Sequence, residues 1–269
     1  MTEQQSIIQQ TFDSVADGYD SPALRFFPAS ARELVTSLDL RGDEQVLDVA
    51  TGTGHAAMAL AAYLPRGRVT GVDFSAAMLE QARRKAKALD MRNVEFLERD
   101  MRELGFAAAP FDAAVCAFGI FFVEDMEAQL THIAATVKPG GRVAICNFHE
   151  AYFGPLKELF VKRLDAYGVQ LPPQHWKRIA HESGCRELFA RAGLRDVRVE
   201  LKNVGYFLTD EYQWWDIIWN AGYRRLVSRL APAELARFQQ EHLAEVAALA
   251  TGDGIWLDVG VLFTVGSRL

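Results

Sequence analysis

Between residues 45 and 148, short apolar segments alternate with stretches in which apolar residues recur at helical spacing. The apolar segments predict strands at 45–50, 68–73, 94–98, 112–118 and 142–148. The helical spacing predicts helices near 55–64, 75–89 and 126–136, and two more before the first strand at 6–19 and 22–38. Strands that alternate with helices are typical of βαβ units with a parallel sheet, so the pattern predicts a doubly wound α/β fold.

The pattern changes after residue 150, where longer helical stretches replace the regular alternation. A sixth strand is predicted near 195–207 and a seventh at 255–265. Residues 209–253, which lie between these two strands, are predicted to form helices at 210–230 and 232–249. An insertion of this length is typical of a lid over a binding site rather than of a plain connection.

The order of these elements also predicts the domain organisation. The chain of 269 residues is long enough for one large α/β domain with additions, rather than for two independent domains. We expect residues 1–40 to form an N-terminal cap of helices and residues 41–269 to form the main domain. Within the main domain, we expect helical lid insertions at 150–180 and 209–253.

Composition and charge exclude several classes of function. Half of the residues are hydrophobic, 24% are charged, and the formal net charge is −6. This negative balance argues against DNA or RNA as a partner. The longest apolar run, Ala113 to Val123, is too short to cross a bilayer, so we expect no membrane insertion. The chain start lacks the layout of a signal peptide, and the three widely spaced cysteines are typical of reduced core residues, which predicts a cytoplasmic protein. The sequence leaves a homodimer open.

The most informative segment is the turn between the first strand and the helix that follows it. The strand ends at Asp48-Val49, and the turn Ala50-Thr51-Gly52-Thr53-Gly54 consists of small residues, which allow the backbone to approach a ligand closely. Asp73 ends the second strand, where a carboxylate can accept hydrogen bonds from both hydroxyls of a ribose. The two features together predict a site for a nucleoside-containing cofactor.

Two cofactor classes use such a turn, and Asp48 favours one of them. Gly52-x-Gly54-x-x-Ala57 fits the nicotinamide dinucleotide pattern. However, a carboxylate at position 48 would repel a pyrophosphate bound at the start of the helix, whereas it suits a ligand that carries an amino group and a sulfonium. A nicotinamide-dependent reductase is therefore the less favoured alternative.

The segment 48–54 resembles motif I of the class I S-adenosylmethionine-dependent methyltransferases, with Ala50 in place of the first glycine. Asp100-Met101 after the third strand and Lys138-Pro139-Gly140-Gly141 before the fifth are similar to further family motifs. The segment 12–20 resembles the opening helix of the branch related to ubiquinone and menaquinone biosynthesis. The resemblance implies a Rossmann-like sheet that is mostly parallel with an antiparallel last strand. It also implies S-adenosylmethionine as the cofactor.

The resemblance assigns cofactor contacts to residues at the ends of the first four strands and in the N-terminal helix. These residues are Tyr19, Asp48, Ala50, Thr51, Gly52, Thr53, Gly54, Asp73, Phe74, Met78, Asp100, Met101, Ala117 and Phe118.

Aromatic residues near the predicted strand ends and in the insertion suggest an apolar chamber for the methyl acceptor, because ligands of open parallel sheets bind beyond the carboxyl ends of the strands. The candidate lining residues are Phe27, Phe122, Tyr152, Trp215 and Trp219. Core packing of the insertion helix is the alternative explanation for its tryptophans.

His149 directly follows the fifth strand and is the candidate general base, since its imidazole could take a proton from a hydroxyl or a carbon acid. The alternative is an ordinary hydrogen-bonded loop histidine. His181 and Cys185 superficially suggest metal ligands, but one histidine and one cysteine do not make a site, so we expect no metal. The sequence thus predicts methyl transfer to an oxygen or carbon of a small, largely apolar acceptor, aromatic or quinone-like. A non-catalytic S-adenosylmethionine-binding protein remains an alternative.

Overall fold

The computed structural model describes residues 3–107 and 109–269, with the side chains described from residue 6 onward. Its strands, numbered along the chain, are β1 Gln45–Val49, β2 Arg68–Asp73, β3 Val94–Glu98, β4 Phe111–Ala117, β5 Val137–Phe148, β6 Arg195–Asn203, β7 Tyr206–Leu208, β8 Ile255–Leu257 and β9 Gly260–Ser267. Its helices are α1 Glu3–Val15, α2 Phe26–Ser37, α3 His55–Tyr63, α4 Ala76–Ala88, α5 Met126–Ala135, α6 Leu156–Ala166, α7 Glu182–Arg191, α8 Glu211–Asn220, α9 Arg224–Val227 and α10 Pro232–Ala247.

Seven strands form the main sheet in the order β3-β2-β1-β4-β5-β9-β6. The pairs from β3 through β5 are parallel, and β9 pairs antiparallel with β5. The predicted Rossmann-like sheet, mostly parallel with an antiparallel last strand, is therefore confirmed. Strand order reverses beside β1, since the chain runs outward to β2 and β3 and then returns to β4. Ligands of such sheets bind at this reversal, outside the carboxyl ends of the strands.

Apolar strands hold this sheet between its helices. Leu47 and Val49 of β1 and Val115 of β4 are fully buried, which is expected of central parallel strands covered on both faces. Two of the helices on the sheet, α4 and α5, begin where a polar side chain satisfies one of the first backbone N–H groups. Ser75 accepts a hydrogen bond from Met78 N at the start of α4, and Asp125 accepts one from Ala128 N at the start of α5.

Two strands predicted as continuous are each divided in two. The predicted strand 195–207 consists of β6 and β7, and the predicted strand 255–265 consists of β8 and β9. Polar side chains meet where the strands are interrupted, at the end of β6 and between β8 and β9. Asn203 Nδ2 donates to Asp258 Oδ2 over 3.0 Å, and Asn203 Oδ1 accepts from Gly205 N over 2.8 Å. β7 and β8 then pair with each other in a separate two-stranded sheet.

The described chain divides into two compact units. The sheet unit consists of residues 27–150, 175–202 and 261–269. The helical unit consists of the remaining segments, 1–26, 151–174 and 203–260. Its three segments overlap the regions expected as additions, 1–40, 150–180 and 209–253, with different borders.

An aromatic core holds the helical unit together. Trp214 of α8 is fully buried, and its Nε1 donates a hydrogen bond of 2.8 Å to Nε2 of buried His242 on α10. Phe160 of α6 lies edge-on to Trp214 and to Phe238. The helix predicted over 210–230 is interrupted, because the backbone becomes extended at Ala221 and a short second helix, α9, follows. Among the described residues, no helix combines the length and apolarity that a membrane crossing requires.

Candidate active site

The turn from β1 to α3 has the backbone that its small residues permit. Ala50, Gly52 and Gly54 all have left-handed φ angles, of 55°, 55° and 86°. Ala50 therefore adopts the conformation that glycine favours at the first position of the related motif, and it does so despite its methyl group. Gly54 is the N-cap of α3 and, among the described residues, no side chain caps that helix. Its N-terminal N–H groups and dipole suit a carboxylate.

Asp73 links the end of β2 to this turn. Its Oδ2 accepts a hydrogen bond of 2.8 Å from Gly52 N, and its Oδ1 accepts one of 2.9 Å from Ser75 N. The backbone adds a further link between the two elements, from Thr51 N to Val72 O over 2.9 Å. Asp73 is only 7% exposed, and these bonds give its carboxylate a fixed orientation. It lies at the edge of the sheet where the sequence predicts a ribose.

Asp48 is fully buried within β1 beside the turn. Its Oδ2 accepts a hydrogen bond of 2.5 Å from Thr51 Oγ1, whereas its Oδ1 has no hydrogen-bond partner among the described residues. Burial raises the pKa of the Asp48 carboxyl to about 7, and the hydrogen bond from Thr51 opposes that rise. A buried carboxylate with an unused oxygen calls for a cationic partner, which an amino acid ammonium group supplies.

The glycines show where a cofactor has space. A Cβ atom added at Gly52 would meet nothing within 4 Å, so the turn borders open space there. By contrast, a Cβ at Gly71 of β2 would lie 2.8 Å from the Phe96 ring and 2.9 Å from Thr51 Oγ1. The turn thus has open space at Gly52, whose N–H donates to Asp73. Together, the two carboxylates as acceptors and the helix N-terminus as donor fit the ammonium, ribose and carboxylate groups of S-adenosylmethionine.

The segment after β3 is held by an acid–base pair that the sequence did not suggest. Asp100 forms an ion pair with Arg102 and also accepts a hydrogen bond of 2.9 Å from Arg102 N. Burial works against ionisation of Asp100, but these contacts with Arg102 prevail and lower its pKa. Gln129 Nε2 of α5 donates to Met101 O over 2.7 Å, which fixes the backbone beside the acid.

An aromatic cluster lies at the ends of β4 and β5. Phe118 directly follows β4 and is the left-handed residue there, with φ 54°. Its ring centre is 4.5 Å from that of Phe148 at the end of β5 and 5.3 Å from that of Phe27 on α2. A bulky residue with this φ is strained, and such strain is common at ligand sites. Phe27 was predicted for the acceptor and Phe118 for the cofactor, whereas Phe148 was missed because a strand-ending phenylalanine has no distinguishing sequence signal.

His149 is half-buried, and the next residue, Glu150, pairs with His181. Glu150 Oε2 lies 3.1 Å from His181 Nε2, and the rings of His149 and His181 are nearly perpendicular with centres 6.0 Å apart. Each of the three residues has one nitrogen or oxygen atom within 4.8 Å of those of the other two. The sequence predicts no site at His181, since one histidine and one cysteine do not make a metal site. Its neighbours His149 and Glu150 come from a distant part of the chain, so residue spacing could not indicate this grouping.

The sheet unit brings together most of the predicted cofactor residues. Phe74 and Met78 follow Asp73 at the start of α4, and Ala117 ends β4. Phe122 of the acceptor set lies in the 3-10 helix Ile120–Phe122, beside Phe121. The predicted residues that this unit supplies are Phe27, Asp48, Ala50, Thr51, Gly52, Thr53, Gly54, Asp73, Phe74, Met78, Asp100, Met101, Ala117, Phe118, Phe122 and His149.

Four predicted site residues belong to the helical unit. Tyr19 lies edge-on to Phe12. Tyr152 is 8% exposed and its hydroxyl lies 3.0 Å from that of Tyr223, while burial raises its pKa. Trp215 and Trp219 are half-buried and stack one turn apart on α8, with ring centres 6.2 Å apart.

Comparisons with known proteins agree with this geometry. Residues 46–141 match a family described as a methyltransferase domain. The chain is 33% identical over 183 residues to the ubiquinone/menaquinone biosynthesis C-methyltransferase UbiE of Coxiella burnetii, which covers 65% of this chain and 71% of that protein. It is 35% identical over 160 residues to the demethylmenaquinone methyltransferase of Thermus thermophilus, which covers 57% of this chain and 72% of that protein.

A solved structure supports the same fold. The YcgJ protein of Bacillus subtilis superposes with a TM-score of 0.59 at 20% identity, covering 89% of this chain and 98% of that one. The glycine turn, the two buried acids and these similarities lead to one assignment. The chain belongs to the class I S-adenosylmethionine-dependent methyltransferases, and it is an enzyme that uses S-adenosylmethionine to methylate small molecules.

Proposed function

We propose that this enzyme transfers the methyl group to an oxygen or carbon of a small, largely apolar acceptor with an aromatic or quinone-like ring. The observation that carries the proposal is the cluster of Phe27, Phe118 and Phe148 at the carboxyl ends of β4 and β5. Aromatic faces and edges favour flat, apolar ligands, and they specify shape rather than polar groups. The names of the two relatives, which refer to ubiquinone and menaquinone, support the same class of acceptor.

The chemistry is a direct displacement. S-adenosylmethionine supplies an electrophilic methyl group, whose bond to sulfur breaks as the acceptor atom bonds to the carbon. The products are S-adenosylhomocysteine, the methylated acceptor and, where the acceptor starts protonated, a proton. Asp48 would hold the ammonium group of the cofactor, and Asp73 would hold its ribose hydroxyls. The aromatic cluster would orient the acceptor and exclude water, so that alignment supplies much of the rate.

We assign His149 the role of general base for an acceptor that must lose a proton. Its place directly after Phe148 puts it at the end of β5, next to the aromatic cluster in the chain. A positioned base contributes about a hundredfold or more in rate. His149→Ala should therefore lower kcat by at least about that factor and leave the affinity for S-adenosylhomocysteine unchanged. Unchanged turnover would leave His149 as a loop residue.

The helical unit supplies the remaining proposed contacts. We propose that Tyr19 contributes to cofactor binding, and that Tyr152, Trp215 and Trp219 contribute to acceptor binding. The rings of Trp215 and Trp219 stack and stay half-buried, which leaves aromatic surface that a ligand could cover. The net charge of −6 supports a small molecule rather than a nucleic acid as the partner. A cytoplasmic location and a homodimer remain proposals of the same kind.

The proposed acceptor class can be tested with isotope-labelled S-adenosylmethionine. The purified chain is incubated with reduced demethylmenaquinone, with a soluble hydroxynaphthoquinone and, as a polar control, with ethanolamine. Mass spectrometry then measures methylated product and S-adenosylhomocysteine together. We expect transfer to the ring compounds alone. Transfer to ethanolamine but to neither ring compound would contradict the proposal, and cofactor binding without transfer to either ring compound would contradict this class of acceptor.

A further inference from the structure

Two loops of the sheet unit meet beyond the end of β5. One contains His149 and Glu150, and the other contains His181, which is the N-cap of α7. The nitrogen and oxygen atoms that these three residues could offer to an ion all lie within 4.8 Å of one another. His181 is far from His149 and Glu150 in the sequence, so this grouping is a property of the fold.

Hydrogen bonds between the loops fix their relative positions. Buried Asn147 donates from Nδ2 to Ile179 O over 2.6 Å, and Glu150 N donates to Ala180 O over 3.1 Å. Cys185 of α7 donates from Sγ to Ile179 O over 3.2 Å. These bonds lie on both sides of the cluster and involve the residues immediately before His181. These bonds fix the backbone of the two loops that carry the three side chains, in addition to the contacts that the side chains make with one another.

We infer that His149, Glu150 and His181 form a binding site for a divalent first-row metal ion such as Zn²⁺. Two imidazole nitrogens with one carboxylate oxygen are a common ligand set for Zn²⁺ and for non-haem Fe²⁺. In a tetrahedral site with bonds of about 2.1 Å the ligand atoms are about 3.4 Å apart, so small side-chain rotations close the cluster around an ion.

The site has the open character of a catalytic rather than a structural metal centre. The side chains of Glu150 and His181 are 57% and 51% exposed, so water or another oxygen ligand can complete the coordination. As a plain surface ion pair, Glu150 and His181 would contribute little to stability, typically about 0–1 kcal/mol.

The metal site itself is independent of methyl transfer, but the role that we give to the ion rests on the proposed function. An ion bound beside the end of β5 can hold a hydroxyl or carbonyl oxygen of the acceptor and lower the pKa of a hydroxyl. With the ion bound, His149 would be a ligand rather than the general base, and the proton of the acceptor would leave to solvent; in the metal-free chain His149 keeps the role of base proposed above.

Metal binding by the full-length chain is the direct test. The protein, freed of any affinity tag and treated with a chelator, is titrated with Zn²⁺ in competition with a chromophoric chelator. A parallel titration with Co²⁺ records the visible spectrum of the bound ion. We expect one equivalent of Zn²⁺ per chain, with histidine-type Co²⁺ bands. His181→Ala and Glu150→Gln should each weaken binding at least about tenfold.

Two matched controls separate the site from general surface effects. His175→Ala removes a histidine of the same segment, and Glu182→Gln removes the acid next to His181; both should bind Zn²⁺ as the unaltered chain does. Absence of stoichiometric Zn²⁺ binding would overturn the inference. So would His181→Ala and Glu150→Gln variants that bind Zn²⁺ as tightly as the unaltered chain does. Binding of S-adenosylhomocysteine, measured on the same samples, should not change, so a failure here leaves the proposed methyl transfer untouched.

Discussion

Ala50 and Gly119 are matched across the ends of two neighbouring strands. A methyl group added at Gly119 would lie 2.7 Å from Cβ of Ala50 and 2.8 Å from Sγ of Cys116. Gly119 therefore leaves the space that the side chain of Ala50 occupies. In the related motif, position 50 is a glycine, and the pair explains how this chain accommodates a larger residue there.

This pairing predicts a specific pattern of stabilities. Gly119→Ala should lower the free energy of unfolding by about 1–3 kcal/mol, because the added methyl overpacks the site. Ala50→Gly in the same chain should recover part of that loss, and urea unfolding of the two single variants and the double variant measures the coupling. Gly222→Ala is the control, since a methyl group there meets nothing within 4 Å. Additive effects at positions 50 and 119 would contradict the pairing.

Asp48 is expected to lower the stability of the cofactor-free chain while it contributes to cofactor binding. Its pKa in the folded chain is about 7, above the ordinary value of 3.8, so the folded state holds the proton more tightly than the unfolded state does. Stability without cofactor should consequently fall as the pH rises from about 4 to about 7, by up to about 1.4 kcal/mol per pH unit.

Asp48→Asn should abolish this slope and raise the melting temperature above pH 7, while it weakens S-adenosylmethionine binding. Thermal unfolding across the pH range and calorimetric titration measure the two effects. Asp253→Asn, on the exposed surface, is the control. A variant that kept both the slope and the affinity would refute the assigned role of Asp48.

Asp73 should decide cofactor affinity. Asp73→Ala removes the proposed contacts with the ribose hydroxyls, each worth about 1.5–3 kcal/mol as a charge-assisted hydrogen bond. It also removes the bonds to Gly52 N and Ser75 N, so the turn itself should loosen. Calorimetric titration with S-adenosylhomocysteine measures the loss of affinity, and a parallel titration with NAD tests the choice of cofactor. Glu98→Gln at the end of β3 is the control. Equal affinity of Asp73→Ala and the unaltered chain would rule out this contact.

The predicted lid, residues 209–253, should respond to ligands. Lids that exclude water are commonly among the less stable elements, so their amides should exchange faster without ligand. Hydrogen exchange over α8 and α10 should slow when S-adenosylhomocysteine and an acceptor analogue bind together. Helix α7 of the sheet unit, which contains none of the predicted cofactor or acceptor residues, provides the comparison within the same sample. Identical exchange with and without ligands would instead assign these helices to packing alone.

The sheet and its cofactor turn were predictable because they depend on local signals. Buried parallel strands are continuous apolar runs, such as Val46-Leu47. A polar residue at the end of such a run, such as Asp73 at the end of β2, shows where the strand stops. The positive φ of Ala50 could not be foreseen from its residue type, because the conformation is imposed by the turn around it.

The parts that depend on distant pairs were not predictable. Asn203 and Asp258 meet across the ends of two strands and divide both, although each strand is apolar enough to continue through that point. Phe148 and His181 acquire their significance from neighbours more than twenty residues away, Phe118 and Glu150. Arg102, by contrast, lies two residues from Asp100, but an Asp-x-Arg spacing alone is too common to indicate an ion pair.

In the proposed function, the aromatic cluster beside the cofactor turn receives the acceptor. The most direct measurement is kcat/KM for methyl transfer to a soluble hydroxynaphthoquinone by Phe148→Ala, alongside the affinity of the same variant for S-adenosylhomocysteine. Leu201→Ala, at an exposed position of β6, serves as the control. Phe148→Ala should lower kcat/KM at least about tenfold, as expected for loss of an aromatic contact and its buried area, with unchanged cofactor affinity. Equal kcat/KM in Phe148→Ala, Leu201→Ala and the unaltered chain would rule out acceptor binding by this cluster.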